Sequence, residues 1–364
     1  MTLNSDTASV RTFYACQKVS FGASSGSADS SPSQSYKTLN GIQSVGITTN
    51  FNLDPVYQLG RLAPGDLFED VPDVEVSVTK QLDGTTTVYE RMMNASTAKT
   101  LAEVSDARSA VLLQIYPQTF NAATGVPSAI CEMMPAYLSS VTYNFPSDGA
   151  FTEEVSIVAN SKQWSTSNNV TNTDPPDASL TGIARRQMFD LTNSVFPTGA
   201  GGANGGGFAS GSLPAGFRLQ SVSVSVDLGR EEIFQLGERL PFTRYINFPV
   251  EVNSEFEFIS AKGDQVGATE TDTNCENPKA LADKQIKLKL CDGLTLDLGT
   301  KNKLNSVSQS GGDAGGDNVT YTFSYINYSE FKYTGVSNDP DVTTVGFDDM
   351  EQVDLDNYGR KKFS

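Results

Sequence analysis

The 364-residue chain contains no histidine. That single absence removes the commonest general base, the commonest metal ligand and every Ser-His-Asp or Cys-His nucleophile arrangement. Carboxylates are left as the possible source of chemistry. The pairs Glu153-Glu154, Glu231-Glu232 and Asp348-Asp349 invite comparison with two-carboxylate glycoside hydrolysis. Adjacent residues on a strand point to opposite faces, however, and cannot act on one substrate; these pairs read as solvated charges. The four cysteines, Cys16, Cys131, Cys275 and Cys291, contain no CxxC, so neither a zinc ribbon nor a dithiol redox motif is present and free buried thiols are expected. The run GAGGANGGGFASG lacks the Gly-Lys-Ser/Thr ending of a phosphate-cradling loop, and GGDAGGDN occurs once, where calcium-binding turns come as arrays. Sequons at Asn94, Asn169 and Asn318 follow no secretory leader and are expected to stay unmodified. The reading is a non-enzyme with no cofactor and no metal.

The charge cuts two ways. Lys plus Arg number 26 against 43 Asp plus Glu, a net charge of −17, which repels nucleic-acid phosphates and anionic membrane surfaces. Tight DNA binding is not expected, although a surface that repels DNA suits a conduit through which DNA slides. The N-terminus shows no basic start followed by an apolar run, and no apolar stretch approaches membrane-spanning length. A soluble protein made in a cytosol, without a membrane anchor, is the expectation.

The elements that must position any site follow from period and repetition. In LQSVSVSVDL, Val222, Val224, Val226 and Leu228 share one face and Ser221, Ser223 and Ser225 the other, the period-2 signature of a half-buried strand. The same parity places Val45, Ile47, Thr49 and Phe51 inward in the first half. In the second half it sets Ile246, Phe248, Val250, Val252, Phe256 and Phe258 against an acidic face with Glu251, Glu255 and Glu257. Aligning Ile42 on Leu219, an offset of 177 (219 − 42), pairs Gln43, Ser44 and Val45 with Gln220, Ser221 and Val222. The same offset then pairs Gln58-Leu59-Gly60 with Gln235-Leu236-Gly237 and Pro64 with Pro241. One residue then drops out, and Val74-Glu75-Val76 lies on Val250-Glu251-Val252. A weaker echo links YLSSVTYNFPSDGAFTEEVSI from Tyr137 with KLNSVSQSGGDAGGDNVTYTFSY from Lys303.

Two homologous β domains follow, residues 1–164 and 217–335, separated by a Gly/Ser/Asn/Pro-rich linker or surface loop over 165–216 and followed by a C-terminal arm over 336–364. Helix is scarce: STAKTLAEVSDARSAVLLQI supports two to four turns beginning after Ser96, and ENPKALADKQI a short counterpart.

The duplicated loop is long for a connection without a task. It offers Leu59, Phe234 and Leu236 as apolar anchors, and Gly60 and Gly237 for a tight bend. Arg61, Arg239 or Arg244 would reach a partner's carboxylate. With Gln58, Pro64, Gln235 and Pro241, these residues form a candidate contact between subunits.

The stretch LQSVSVSVDLGREEIFQLGERLPFTRYINFPVEVNSEFEF resembles the front half of bacteriophage tail tube proteins, in which a strand, a QLG-type loop and a Pro-Val-Glu-Val strand follow in that order. MPAYLSSVTYNFPSDGAFTEEVSIVANSKQW is similar to the end of the same domain, with its Gly turn, Thr-Glu strand and closing Lys-x-Trp. The first repeat departs from the pattern at RLAPGDLFEDVPDVEV, an acidic stretch where the second has aromatic and basic residues.

The resemblance implies a mainly β fold, two tandem β-sandwich or rolled-barrel domains each with a short helix. Side by side such domains close rings, and the rings stack into a tube of the virion tail. Six-subunit rings in single-domain members imply three duplicated chains per ring, with six as the alternative. The implied partners are further copies of the chain and other tail proteins such as sheath, terminator or baseplate and tip. DNA would be a passing, repelled cargo. Glu75, Glu251, Glu255 and Glu257 are the candidates for the lumen. A tube initiator, terminator or distal ring is the neighbouring alternative, separated by copy number per particle. A glycan-binding β-sandwich is the alternative of another class, for which Trp164 is the one tryptophan that could stack on a sugar.

Overall fold

The computed structural model describes residues 12–22, 36–69, 71–93, 99–117, 127–165, 183–191, 217–261, 263–264, 266, 283–290, 293–311 and 318–335. The first half supplies β1 (Gln17–Phe21), β2 (Lys37–Thr38), β3 (Ile42–Asn50), β4 (Leu53–Val56), β5 (Asp66–Glu69) and β6 (Asp73–Gln81). Helix α1 (Val88–Met93) follows, then β7 (Lys99–Thr100), β8 (Ser109–Ile115), β9 (Ala129–Pro146), β10 (Thr152–Ala159), β11 (Lys162–Ser165) and β12 (Phe189–Leu191). The second half contributes β13 (Phe217–Asp227), β14 (Arg230–Ile233), β15 (Thr243–Ile246), β16 (Glu251–Ser260) and β17 (Lys287–Leu290). It ends with β18 (Thr295–Asp297), β19 (Lys303–Ser310), β20 (Thr320–Tyr328) and β21 (Lys332–Thr334).

The fold is mainly β, and its backbone is one antiparallel path that runs through both halves in the order β19-β20-β16-β13-β9-β10-β6-β3. Within it the first half contributes β3-β6-β10-β9 and the second β13-β16-β20-β19, joined where β9 pairs with β13 from Ser140↔Asp227 to Pro146↔Ser221. Two irregularities recur. Gln43 bulges from β3 opposite Thr79 and Lys80, and Gln220 bulges from β13 opposite Glu257 and Phe258. Ser139 bulges from β9 and Asn305 from β19, each opposite the middle of its partner, β10 or β20. A bulge fixes register and local twist, so its repetition carries the same strand geometry into both halves.

The pairing also corrects the alignment of the repeats. Val45 faces Val78 and Val222 faces Phe256, so β6 matches β16 with one residue gained after the hairpin, where the sequence match implied one lost. Glu75 therefore corresponds to Asn253, and Asp73 to Glu251. The ValGluVal match is a two-residue slip that a period-2 strand conceals, because it leaves every residue on the same face.

The apolar face of the path is a single core. Val74, Val76, Val78, Val141, Tyr143, Val155, Ile157, Val222, Val224, Val226, Val252, Phe256, Phe258, Phe323 and Tyr325 are buried in it. Cross-strand aromatics close its second-half part: Phe258 meets Phe323 edge-on with ring centroids 5.5 Å apart, and Phe256 meets Tyr325 at 6.0 Å. A second sheet, β12-β17-β18-β21-β7, covers this face with Leu191, Leu288, Leu290, Leu296 and Tyr333. The early part of β9 carries β8, β1 and β2 on one side and β11 on the other.

Several expectations are corrected. The first-half helix is not after Ser96: it is the six-residue α1 at Val88–Met93, and 99–104 form a short strand and a 3-10 turn. Thr87-Val-Tyr-Glu90 is the missed signal, a capping-box pattern, and the Thr87 hydroxyl accepts from the Glu90 N–H at 3.1 Å. The linker is not wholly a linker, since β12 lies within it and pairs with β17. Phe51 and Phe248 point to solvent, 71% and 44% exposed, just beyond the ends of their strands. Of the helix expected in ENPKALADKQI only 283–286 are described and these are not helical, Lys284 forming a bridge to Asn302; the Gly-rich run, Asp348-Asp349 and the C-terminal arm lie outside the described residues.

Candidate assembly surfaces

The face opposite the core is polar and acidic because strand parity makes it so. Glu75, Glu251, Glu255 and Glu257, singled out from the sequence, all project from it, joined by Glu154 and Asp227; all but Glu257, which is half-buried, are exposed. Ser77, Ser140, Thr142, Ser156, Ser225 and Asn253 fill the space between. Where β9 meets β13 this face holds an open groove of about 570 Å³ that brings Glu75, Asp227 and Glu251 together and has no lysine or arginine in its lining. Such a surface repels polyanions.

The other carboxylate of the first pair is a different object. Glu153 is fully buried, which corrects its reading as a solvated charge. Its carboxylate accepts the Val88 N–H at 2.8 Å, the Tyr89 N–H at 3.0 Å and the Tyr143 hydroxyl at 3.0 Å. Burial raises its pKa and these donors pull it back in part. Every acceptor contact goes to the protein's own frame, so the group anchors α1 to β10. Glu90 is buried beside it, and Gly335 approaches so closely that any side chain there would collide with the Glu90 carboxylate. Glu232 is half-buried and paired with Arg244 at 2.7 Å.

The duplicated loop proves to be two hairpins, β4–β5 and β14–β15. Their tips are alike. Gln58 O accepts from Arg61 N at 3.1 Å and Gln235 O from Glu238 N at 3.3 Å; Gly60 and Gly237 have φ of +90° and +94°, which favours glycine. Leu59 and Leu236 stand fully exposed, with Phe234 55% exposed, and Arg61, Pro64 and Arg239 are exposed as well.

Their stems differ. Arg244 was expected to seek a partner's carboxylate; it is buried and engaged within its own chain, with Glu232 at 2.7 Å, Asp73 at 3.8 Å and the Asn160 amide oxygen at 2.8 Å. Pro241 is likewise buried, its carbonyl accepting from Asn160 at 3.2 Å. Arg230 donates to the Leu138 and Ser105 carbonyls, both at 2.7 Å, and lies over the Tyr137 ring. The second hairpin is thus docked on the first half. Among the described residues nothing comparable holds the first hairpin, whose Leu53, Val56, Leu67 and Phe68 are all more than half exposed, the least of them 51%.

Among the described residues no group of His, Cys, Asp and Glu could hold a metal ion, and no helix is long and apolar enough to cross a membrane. Trp164 is 53% exposed on β11. Cys16 and Cys131 are buried free thiols, as expected, while Cys275 and Cys291 fall outside the described residues. Burial pushes the Cys131 thiol up to about 11, so at pH 8 only about one in a thousand is thiolate. Iodoacetamide at pH 8 is expected to leave the peptides of Cys16 and Cys131 unlabelled in native protein and to label both in guanidinium, read by mass spectrometry; rapid native labelling of Cys131 would contradict its burial. Comparisons with protein-family models and with curated proteins return no match to this chain.

Proposed function

We propose that the chain is a structural subunit of a bacteriophage tail tube. In this reading two related four-stranded units stand side by side on one polypeptide and copies of it close into rings, the rings stacking into a cylinder through which DNA passes. One observation carries the reading. Among the described residues the main path has two unpaired edges, β3 and β19, and these are the repeat counterparts of β13 and β9, which already pair with each other inside the chain. The junction between the halves is therefore a template for the junction between copies, and pairing β3 of one copy with β19 of the next extends the path indefinitely until it closes.

Closure also removes a hazard, since an unpaired edge strand of nine residues, Ile42–Asn50, is an aggregation template. Symmetric head-to-tail contacts that close give rings, and three chains would present six units.

Orientation follows from thickness. One face of the path bears the second sheet and α1, whereas among the described residues nothing covers the acidic face. In a closed ring the bulkier layer takes the larger circumference, which turns Glu75, Glu154, Asp227, Glu251, Glu255 and Glu257 inward. Carboxylates that repel phosphates would let DNA slide without sticking. Virion tail localisation and contacts with other tail proteins belong to this proposal.

Negative-stain imaging of the purified protein at increasing concentration is the test. Hollow rings or cylinders are expected; a monodisperse monomer at every concentration would overturn the reading.

A further inference from the structure

We propose that the first hairpin, β4–β5, docks across the subunit boundary onto the β19–β20 end of the next copy, at the counterpart of the seat that β14–β15 occupies within the chain. The inference rests on the head-to-tail reading above and adds to it a specific contact with named residues.

β14–β15 lies between β13 and β16 and leans over the neighbouring unit, where it touches Leu138 beside the β9 bulge, Asn160 just after β10, and Asp73 at the start of β6. β4–β5 lies likewise between β3 and β6, and β3 is a free edge. A copy of the chain paired on that edge as β9 is paired on β13 puts its own seat beneath this hairpin. The seat is identified by the shared bulges and registers: Leu304 beside the β19 bulge stands for Leu138, Tyr328 for Asn160, and Glu251 for Asp73.

The chemistry of both sides has changed together. In the in-chain seat a buried Arg244 joins Asn160 and Asp73. At the position of Arg244 the first hairpin has Leu67, followed by Phe68, exposed by 51% and 59%. At the position of Asn160 the second half has Tyr328, 56% exposed. A polar lock within the chain is thus matched by an apolar and aromatic pairing between chains. Both its members are exposed in the isolated chain, Leu67 and Phe68 on β5 and Tyr328 at the end of β20. Aromatic and aliphatic anchors that fill such a contact carry much of an interface's energy.

A photo-reactive benzoylphenylalanine at Phe68, in assemblies made from a mixture of isotopically heavy and light chains, tests the contact. The expected adduct joins Phe68 of one chain to the peptide containing Tyr328 or Leu304 of another, with mixed heavy-light mass. A second arm needs no cross-link: the double variant Leu67→Ser with Phe68→Ser, whose side chains are exposed and leave the monomer core untouched, is expected to raise the concentration needed for assembly about tenfold or more. Rings that form with adducts at any other site, or at unchanged concentration in the double variant, would overturn the docking and leave the ring reading standing. No assembly of the unmodified protein at any concentration would sink both.

Discussion

Replacing Glu153 by alanine is expected to cost about 3 to 5 kcal/mol of folding stability, because it strips three buried donors of their acceptor at once. Val88 N, Tyr89 N and the Tyr143 hydroxyl all give to this carboxylate within 3.0 Å. The two amides belong to the first turn of α1, whose N–H groups have no acceptor inside the helix. The loss propagates through the core: Tyr89 packs against Tyr333 with ring centroids 4.8 Å apart, and Tyr333 bonds Thr87 at 2.6 Å. For a chain of this size a shift of that order lowers Tm by roughly 4 to 7 °C, measurable by calorimetry.

Glu153→Gln separates charge from hydrogen bonding and gives a sign. Burial, the dominant effect, holds the folded pKa of Glu153 above its ordinary value despite its donors. A raised carboxyl binds its proton more readily when folded, so its contribution to stability is fully present below the unfolded value, near pH 4, and is lost as pH rises through the folded value. The stability of the parent relative to Glu153→Gln is therefore expected to decline as pH rises from about 4 toward neutrality. A gap that widens with pH in urea titrations would mean that the three donors, and not burial, govern the site.

Glu153 also illustrates what the sequence made legible and what it hid. Parity separated Glu153 from Glu154 correctly, because the period of a strand is geometric and needs no partner to be known. It could not say that one of the two faces was buried beneath a helix, since that depends on a layer assembled from distant residues such as Tyr333. The valine ladder of β13 was readable for the same local reason, as was the acidic parity of Glu251, Glu255 and Glu257. The placement of α1 is not legible from the run after Ser96, because its signal is a short capping box at Thr87 with only six helical residues behind it. The two-residue slip between β6 and β16 escaped because identical ValGluVal triplets satisfied both registers, and only bulges, which have no residue signature here, distinguished them. Arg244 was misassigned for a related reason: a basic residue on a hairpin shows its charge in the sequence but not whether its carboxylate lies in its own chain.

Proline introduced at Ile47 and at Thr48, one at a time, is expected to split folding from assembly. Neighbouring residues of a strand direct their N–H groups to opposite sides, one toward β6 and one toward the open edge. Proline facing β6 removes a ladder bond within the chain and should lower Tm. Proline facing outward leaves the in-chain ladder intact and removes a donor that only another copy could use. That variant should remain a folded monomer with an unchanged circular dichroism spectrum while its rings disappear, a loss of association of about 100-fold or more if the cost approaches the roughly 3 kcal/mol typical of misplaced proline. The register transferred from β9 and β13 makes the outcome specific: Ile47 would face Gln309 and Thr49 would face Val307 of the next copy, as Val224 faces Tyr143 and Val226 faces Val141 within the chain. Proline at Gln309 and Ser308 on β19 should reproduce the same split from the other side. Mixing an outward-facing β3 variant with an outward-facing β19 variant should then yield dimers that stop, since each dimer would keep one competent junction and two blocked ends. Sedimentation that finds full rings in either single variant would show that copies meet through some other surface, and a mixture that stays monomeric would remove β3 and β19 as partners.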